Sequence, residues 1–260
     1  MVSSSRLSAR FSALKTANRK ALVCYVTAGH PSPNACVRFW RALEAAGADV
    51  LEVGVPFSDP MADGPVIQQS SQRALDQGMT LEGTLELIRE AALGIPVVLF
   101  SYLNPVMAGG RDVLARASAA GVDGVLITDL PVGADAEREA WFGGSGLDFV
   151  RLVAPTTPAA RMEEIARHGG GFVYLISRLG VTGERAALAD DLPETVARLR
   201  AATTLPLCIG FGISTPEQAR DAARLGDGVV VGSALVRAAG QSLDDAIALV
   251  ASMRAALDEA

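Results

Sequence analysis

Two acidic side chains, eleven positions apart, are the candidate chemical groups of this sequence. Glu52 lies inside a short run of apolar residues, 49–55, and Asp63 follows in a segment rich in proline, glycine and polar residues. Burying an isolated carboxylate costs several kcal/mol, so an apolar strand carries one only when it is paired, protonated or used. Two carboxyl groups in different surroundings are the usual equipment for separate acid and base roles. The pair therefore predicts proton-transfer chemistry.

Each of these acidic residues also has a structural interpretation. Glu52 could form a buried ion pair with Arg151 from a neighbouring strand, and Asp63, like Asp59, could cap a turn. Carboxylates at the C-terminal end of a barrel strand are more often functional than structural, which favours catalysis for Glu52. Asp129 is expected to be structural.

Strand-sized apolar runs alternate with segments of helical periodicity from residue 21 onwards. The runs are eight in number and lie at 21–27, 49–55, 96–102, 124–130, 148–154, 171–177, 205–211 and 228–234. Helical spacing occurs at 34–46, 81–92, 111–120, 160–168, 217–225 and 243–257. This alternation predicts an α/β fold, a (β/α)8 TIM barrel that forms a single domain over residues 1–260, with a short N-terminal leading helix. An open doubly wound sheet is less favoured, because no GxGxxG follows the first strand.

The composition restricts the classes of partner and cofactor. The formal net charge is -6 for 260 residues, which gives no support to nucleic-acid binding. No apolar run approaches the roughly 20 residues of a membrane span, so no membrane partner is expected and the expected location is the cytoplasm. Three cysteines without metal-type spacing and two histidines predict no metal site. His30, one of the two, is expected to be a loop residue.

Glycine-rich turns follow the last two predicted strands. Gly212 in the first turn and Gly232 with Ser233 in the second would let backbone N–H groups approach an anion closely. Barrels that bind phosphate usually bind it at this place. Neither turn contains Lys or Arg, so backbone dipoles are expected to hold the charge. The segment 178–183 has two glycines and a hydroxyl, which suits a loop that closes over a ligand.

The sequence resembles the tryptophan synthase alpha chain family in motifs spread over nearly the full chain. These are YVTAGHP at 25–31, EVGVPFSDPMADGP at 52–65, SYLNP at 101–105, DLP at 129–131, SRLGVTG at 177–183, GFGIS at 210–214 and VVVGSA at 229–234. The resemblance implies a carbon–carbon lyase of tryptophan biosynthesis. It would cleave indole-3-glycerol phosphate by a retro-aldol reaction to indole and glyceraldehyde 3-phosphate, without a cofactor of its own.

The resemblance also implies residue roles. Glu52 would be the acid and base beside the indole C3 and the glycerol hydroxyl, and Asp63 would stabilise the charge at the indole N–H. The substrate-binding residues implied by the resemblance, or expected from the apolar walls and glycine turns, are Tyr25, Ile67, Phe100, Tyr102, Ile127, Tyr174, Thr182, Gly183, Phe211, Gly212, Gly232 and Ser233.

The expected partner is a tryptophan synthase β chain that carries pyridoxal phosphate, in an α2β2 heterotetramer. Three other interpretations stay open. A free-standing lyase that releases indole would carry the same motifs, and a sugar-phosphate isomerase or epimerase would share the barrel and the phosphate turns. The metal-dependent kind of isomerase needs more histidines than the two present. A non-catalytic barrel that only regulates a partner is disfavoured by the intact pair Glu52 and Asp63.

Overall fold

The computed structural model describes residues 5–176, 191–210 and 212–260. Strands and helices alternate along these residues after one leading helix. The strands are β1 Ala21–Thr27, β2 Val50–Gly54, β3 Val97–Ser101, β4 Gly124–Ile127, β5 Asp148–Phe149, β6 Arg151–Val153, β7 Val173–Ile176, β8 Leu207–Gly210 and β9 Gly228–Val231. The helices are α1 Arg6–Thr16, α2 Pro33–Ala45, α3 Pro65–Asp76, α4 Leu81–Ala91, α5 Leu103–Ala108, α6 Val113–Ala120, α7 Ala136–Gly143, α8 Ala159–Arg167, α9 Leu192–Ala202, α10 Pro216–Ala223, α11 Ser233–Gln241 and α12 Leu243–Asp258.

The strands form one parallel sheet that curves into a barrel. Their order is β5-β4-β3-β2-β1-β9-β8-β7-β6, so the first strand pairs with both the second and the last. β5 and β6 are the two halves of the predicted strand 148–154, separated only by Val150. The N–H group of Val150 still donates to the carbonyl of Val125, which continues the pairing with β4 across the break. The predicted (β/α)8 barrel is confirmed.

Alternation along the strands divides their side chains into two sets. One set packs outward against the helices and includes Leu51, Val53 and Ile127. The other set points into the barrel and includes Val50 and Leu126. Both sets are apolar because a parallel barrel is buried on its two faces, and each fully buried large apolar side chain contributes about 1.5–3 kcal/mol.

Helix α1 closes the N-terminal end of the barrel. Its apolar side chains, Leu7, Phe11 and Leu14, pack with the inward-facing residues at the bottom of the strands. Arg10 of α1 forms an ion pair of 2.5 Å with Asp49, which is buried at the start of β2. The predicted leading helix is therefore present, and it acts as the floor of the barrel.

Some helices were not predicted from the sequence. They are α3, α5, α7 and α9, and each is short, rich in polar residues or close to a proline, so its periodicity is weak. The six predicted helices are present, and no end differs by more than two residues from the prediction. Within the described ranges, no helix is long and apolar enough to cross a membrane.

Candidate active site

A cavity opens at the C-terminal ends of the strands, where a TIM barrel carries its active site. Its free space is about 810 Å³, a volume that includes the solvent at its open side. It is lined by Tyr25, Glu52, Ala62, Asp63, Gly64, Val66, Ile67, Phe100, Tyr174, Gly212, Ile213, Ser214, Val230, Gly232, Ser233, Ala234 and Arg237. Both candidate acidic residues thus face one space.

Glu52 projects into the barrel from the middle of β2. Its side chain is only 1 % exposed, and its Oε1 atom has no hydrogen-bond partner among the described residues. Burial raises the pKa of this carboxyl to about 8, because the charged form loses its hydration. At neutral pH Glu52 is therefore mainly protonated, with an O–H group to give.

The structural interpretation of Glu52 as an ion-pair partner of Arg151 is wrong. Arg151 instead pairs with Glu139 at 3.4 Å and donates to the carbonyls of His168 and Leu130. Its guanidinium carbon lies 3.5 Å from the ring centre of Phe149. Arg151 is thus part of the wall between the barrel and its helices, and it does not neutralise Glu52.

Asp63 reaches the cavity from the loop between β2 and α3. The hydroxyl of Tyr102 donates to Asp63 Oδ2 over 3.0 Å and accepts from the N–H group of Ala62 over 2.9 Å. Burial raises the pKa of Asp63 to about 6, and the hydrogen bond from Tyr102 opposes that rise by stabilising the carboxylate. Asp63 is consequently ionised at neutral pH, while Glu52 is not.

Aromatic and aliphatic side chains form the apolar wall beside the two acids. Tyr25 and Ile67 form a small buried cluster, and Phe100 packs against it. The rings of Tyr25 and Phe100 meet edge to face, with 5.2 Å between their centres. The Tyr25 hydroxyl occupies the place where a side chain at Gly54 would begin, so glycine there gives the ring its room. A flat aromatic ligand would find complementary surfaces here.

The glycine turns meet on the other side of the cavity. Gly212 has a φ of +85°, a left-handed conformation that favours glycine, and a side chain added there would have no neighbouring atom within 4 Å. Gly232 is the N-cap of α11 and Ser233 is its first residue. The exposed N–H groups of this helix start and their dipole suit an anion.

The structure brings together nine of the fourteen residues predicted for the site, namely Tyr25, Glu52, Asp63, Ile67, Phe100, Tyr174, Gly212, Gly232 and Ser233. Tyr102 does not line the cavity but holds Asp63 from behind. Ile127 lies in the helix-facing core, because alternation along β4 turns Leu126 inward instead. Thr182, Gly183 and Phe211 lie outside the described residues.

Arg237 is a cavity residue that the sequence analysis missed. It lies on α11 four positions after Ser233, and residues at this spacing share one face of a helix. The expectation that backbone dipoles hold the anion rested on the absence of Lys and Arg from the two turns, although the segment 233–239, expected to present a helix N-terminus there, contains Arg237. The spacing from Ser233 was the signal that could have found it. Ser214, which ends the GFGIS motif, also lines the cavity.

The other acidic residues near the cavity have structural partners. Asp129 Oδ1 accepts from the N–H group of Leu103 over 2.7 Å, which fixes the start of α5 as expected of a structural residue. Asp59 accepts from the Ser58 hydroxyl over 2.6 Å in the exposed part of the β2–α3 loop. No group of three or more His, Cys, Asp or Glu side chains suited to a metal ion occurs among the residues with described positions.

Comparison with known proteins adds the family. The sequence profile described as "Tryptophan synthase alpha chain" matches residues 11–259. The tryptophan synthase alpha chain of Citrifermentans bemidjiense is 52% identical over 237 residues, which cover 90% of this chain and 88% of the relative. The alpha chain of Desulfatibacillum aliphaticivorans is 50% identical over 238 residues, 90% of each chain.

Solved structures agree with the sequence relatives. The crystal structure of tryptophan synthase subunit alpha from Legionella pneumophila has a TM-score of 0.87 and 38% identity over 98% of this chain and 99% of that one. A structure of tryptophan synthase from Mycobacterium tuberculosis has a TM-score of 0.90 and 36% identity, covering 98% of both chains. The chain therefore belongs to the tryptophan synthase alpha chain family.

Proposed function

We propose that Glu52 and Asp63 perform the proton transfer and charge stabilisation of the reaction of this family. The chain is a carbon–carbon lyase of tryptophan biosynthesis, the alpha subunit of tryptophan synthase, and it cleaves indole-3-glycerol phosphate to indole and glyceraldehyde 3-phosphate. The observation that supports the residue roles is that two carboxyl groups in different surroundings line one cavity, Glu52 buried with an unpartnered Oε1 atom and Asp63 held by the Tyr102 hydroxyl. The unit that acts is a single domain formed by residues 1–260.

Glu52 serves first as an acid and then as a base. Indole leaves poorly until its C3 atom is protonated, and the protonated carboxyl of Glu52 delivers that proton. The resulting carboxylate then takes the proton from the glycerol hydroxyl as the C3–C3′ bond breaks. The bonding electrons return to the indole ring, the oxygen becomes the aldehyde, and Glu52 regains its proton. A buried carboxyl with a pKa of about 8 suits both steps.

Asp63 stabilises the intermediate charge. Protonation at C3 places positive charge on the indole nitrogen, and an ionised carboxylate that accepts the indole N–H hydrogen bond balances it. The Tyr102 hydroxyl supports this role because it orients Asp63 and favours its charged form. Glu52 therefore transfers the protons and Asp63 stabilises the charge, two roles that need carboxyl groups in different surroundings.

The remaining cavity residues hold the two ends of the substrate. Tyr25, Ile67 and Phe100 supply the apolar surface for the indole ring. The Gly212 turn and the N-terminus of α11 at Gly232 and Ser233 face the phosphate. We also propose that Thr182, Gly183 and Phe211 contact the substrate. No cofactor takes part on this chain.

The proposed partner is a tryptophan synthase β chain with pyridoxal phosphate, in an α2β2 assembly located in the cytoplasm. The outer part of the β2–α3 loop supports this proposal. Met61 in that loop is 89 % exposed, an unusual position for a large apolar side chain, and it lies between Asp59 and Asp63. A partner that covers Met61 would therefore contact the loop that carries Asp63.

One assay tests the reaction and the partner together. Indole release from indole-3-glycerol phosphate is measured for the isolated chain, for the chain with a cognate β chain, and for the Glu52→Gln variant. We expect slow release by the isolated chain, faster turnover with the β chain and almost none from the variant. Fast release that the β chain does not change would identify a free-standing lyase. Absence of release in every mixture would exclude the lyase reaction.

A further inference from the structure

His30 occupies an unexpected position for a loop residue, because its side chain is buried under the helix that begins at the phosphate end of the cavity. It follows β1 in the turn before α2 and is only 4 % exposed. Its Nε2 atom lies 3.1 Å from the carbonyl oxygen of Val236 in α11. Val236 is three positions after Ser233, so this contact is made within one turn of the helix start.

The chemistry of the contact fixes the form of the imidazole. A carbonyl oxygen only accepts, so Nε2 must carry the hydrogen and donate it. Nδ1 is buried and has no hydrogen-bond partner among the described residues, so a second proton there would be unsatisfied. Burial lowers the pKa of His30, the hydrogen bond to the Val236 carbonyl opposes this shift, and the positive charge of Arg73 adds to the lowering. The ring is therefore a neutral, single-tautomer donor aimed at α11.

Gly240 makes room for this ring. It lies four positions after Val236, on the same face of α11, and a Cβ atom added there would be 3.2 Å from His30 Nε2. Glycine is a poor helix former, and its φ here is not in the left-handed region that would require glycine. Close approach of His30 is thus the feature that accounts for a glycine inside the helix.

A hydrogen bond at the end of β1 also holds α3, on the opposite side of the cavity. The hydroxyls of Thr27 and Ser70 are 2.7 Å apart, and Ser70 donates to the carbonyl of Ile67. Thr27 must therefore be the donor to Ser70, which ties β1 to α3 just after the Asp63 loop. One strand end thus contacts both helices that carry the two halves of the site.

We infer that His30 is a positioning residue for the phosphate site, which it serves by setting the place of the α11 N-terminus. This inference rests on the proposed function of Gly232 and Ser233. Anion binding by backbone N–H groups depends on their placement, and groups that hold such a site act through hydrogen bonds behind it. The expected effect of losing the contact is weaker binding of the phosphate end, with the indole end unaffected.

The test compares two variants at His30 that differ in hydrogen bonding. His30→Leu fills the space without a donor, and His30→Gln keeps an N–H group near the position of Nε2. His168→Leu, a change at the half-exposed second histidine, is the matched control. The affinities of the full chain for glycerol 3-phosphate and for indole are measured by calorimetry, together with KM and kcat for indole-3-glycerol phosphate.

We expect His30→Leu to weaken glycerol 3-phosphate binding about tenfold and to raise KM similarly, with indole affinity and kcat nearly unchanged. His30→Gln should restore most of the affinity, and His168→Leu should match the unaltered chain. Equal loss of affinity for both ligands, or no loss for either, would overturn the inference. If the unaltered chain bound indole but not glycerol 3-phosphate, the proposed phosphate site would itself be wrong, and the inference with it.

A variant at Gly240, on the other side of the contact, tests the inference even if the variants at His30 do not fold. Gly240→Ala pushes against the imidazole while it improves the helix propensity of α11. We expect an unfolding temperature equal to or above that of the unaltered chain, and glycerol 3-phosphate affinity roughly threefold lower. A change that raises stability and lowers phosphate affinity is what a positioning role requires. Unchanged affinity in a folded Gly240→Ala chain would contradict it.

Discussion

The Tyr102 hydroxyl and the Asp63 carboxylate are joined by a hydrogen bond of 3.0 Å, in which Tyr102 is the donor. Burial and the nearby charge of Asp63 both raise the pKa of Tyr102, so the tyrosine keeps its proton over the whole working range of pH. The bond stabilises the charged form of Asp63, whose pKa burial alone would raise further above its ordinary value. We therefore expect Tyr102 to set the lower pH limit of the proposed reaction.

Tyr102→Phe tests this control. Without the hydroxyl, the pKa of Asp63 should rise above about 6, and the acidic limb of the pH dependence of kcat/KM should move to higher pH by about one pH unit. The measurement is the rate of indole release between pH 5 and pH 9. An acidic limb that stays in place, with a uniform loss of rate at every pH, would mean that Tyr102 only packs against the loop.

Glu52→Gln should remove most of the activity. The amide keeps the size of the side chain but has no acidic proton to deliver to C3, so kcat should fall by roughly 10²–10⁴-fold. In the unaltered chain the acid form of Glu52 is lost as pH rises through about 8, which predicts a basic limb of kcat/KM near that value. A folded Glu52→Gln chain with near-normal turnover would exclude Glu52 as the proton donor.

The pH dependence of unfolding tests whether Glu52 is protonated in the folded chain. The raised pKa of Glu52 means that the folded state holds a proton that the unfolded state releases above about pH 4.5. The unaltered chain should therefore lose stability relative to Glu52→Gln as pH rises from about 4.5 to about 8. Urea unfolding at several pH values measures this difference. A stability of the unaltered chain, relative to Glu52→Gln, that stays constant or increases over this pH range would contradict the buried, protonated carboxyl.

Asp63→Asn should damage turnover more than substrate binding. The amide oxygen can still accept a hydrogen bond from the indole N–H, but the neutral group cannot balance the ring charge of the intermediate. We expect kcat to fall at least tenfold while KM stays within about threefold. Asp59→Asn, in the exposed part of the same loop, is the control and should keep the kcat of the isolated chain. Weaker binding as the sole defect would favour a loop-capping role for Asp63.

Gly212→Val should weaken phosphate binding selectively. The open space beside Gly212 would receive the new side chain at the cavity, and we expect at least a tenfold loss of affinity for glycerol 3-phosphate. Gly78→Val is the matched control, because Gly78 has a φ of +80° and an equally open surrounding but does not line the cavity. Calorimetry with glycerol 3-phosphate and with indole separates the two ends of the site. Equal losses for both ligands would indicate general disruption.

Asp59→Ala and Pro60→Ala should reduce stimulation by a β chain while sparing the basal rate. Both residues belong to the loop that exposes Met61 and positions Asp63, so a partner that orders this loop would couple its own binding to catalysis. Each tenfold of stimulation needs a coupling of only about 1.4 kcal/mol. Asp76→Ala, at the far end of α3, is the control for loss of an exposed carboxylate. Normal stimulation of both loop variants would place the partner elsewhere.

The sequence predicted the parts of the site that lie on strands and in glycine turns. The apolar run 49–55 predicts a buried strand that carries Glu52, and the structure places Glu52 buried in the middle of β2. Alternation could not decide between Leu126 and Ile127, because both faces of a barrel strand are apolar. The sequence therefore indicates which residues of a strand point into the barrel where one of them is charged, but not where all of them are aliphatic.

Contacts between distant parts of the chain were beyond the sequence. The hydrogen bond from Tyr102 to Asp63 joins residues 39 positions apart, and the one from His30 to Val236 joins residues 206 positions apart. Local periodicity indicates only which face of a helix or strand is buried, so it does not predict that either pair of residues lies close together. The less favoured alternative, an ion pair between Glu52 and Arg151, could not be tested from the sequence for the same reason, and the structure pairs Arg151 with Glu139 instead.

The closure of the N-terminal end of the barrel by α1 has a consequence for the entry of substrate and the exit of products. Among the described residues, α1 closes the N-terminal end of the barrel and the cavity opens at the C-terminal end, so we expect substrate to enter and products to leave at the C-terminal end. The ion pair of Arg10 with Asp49, which holds α1 in place, thus also keeps the N-terminal end of the barrel closed.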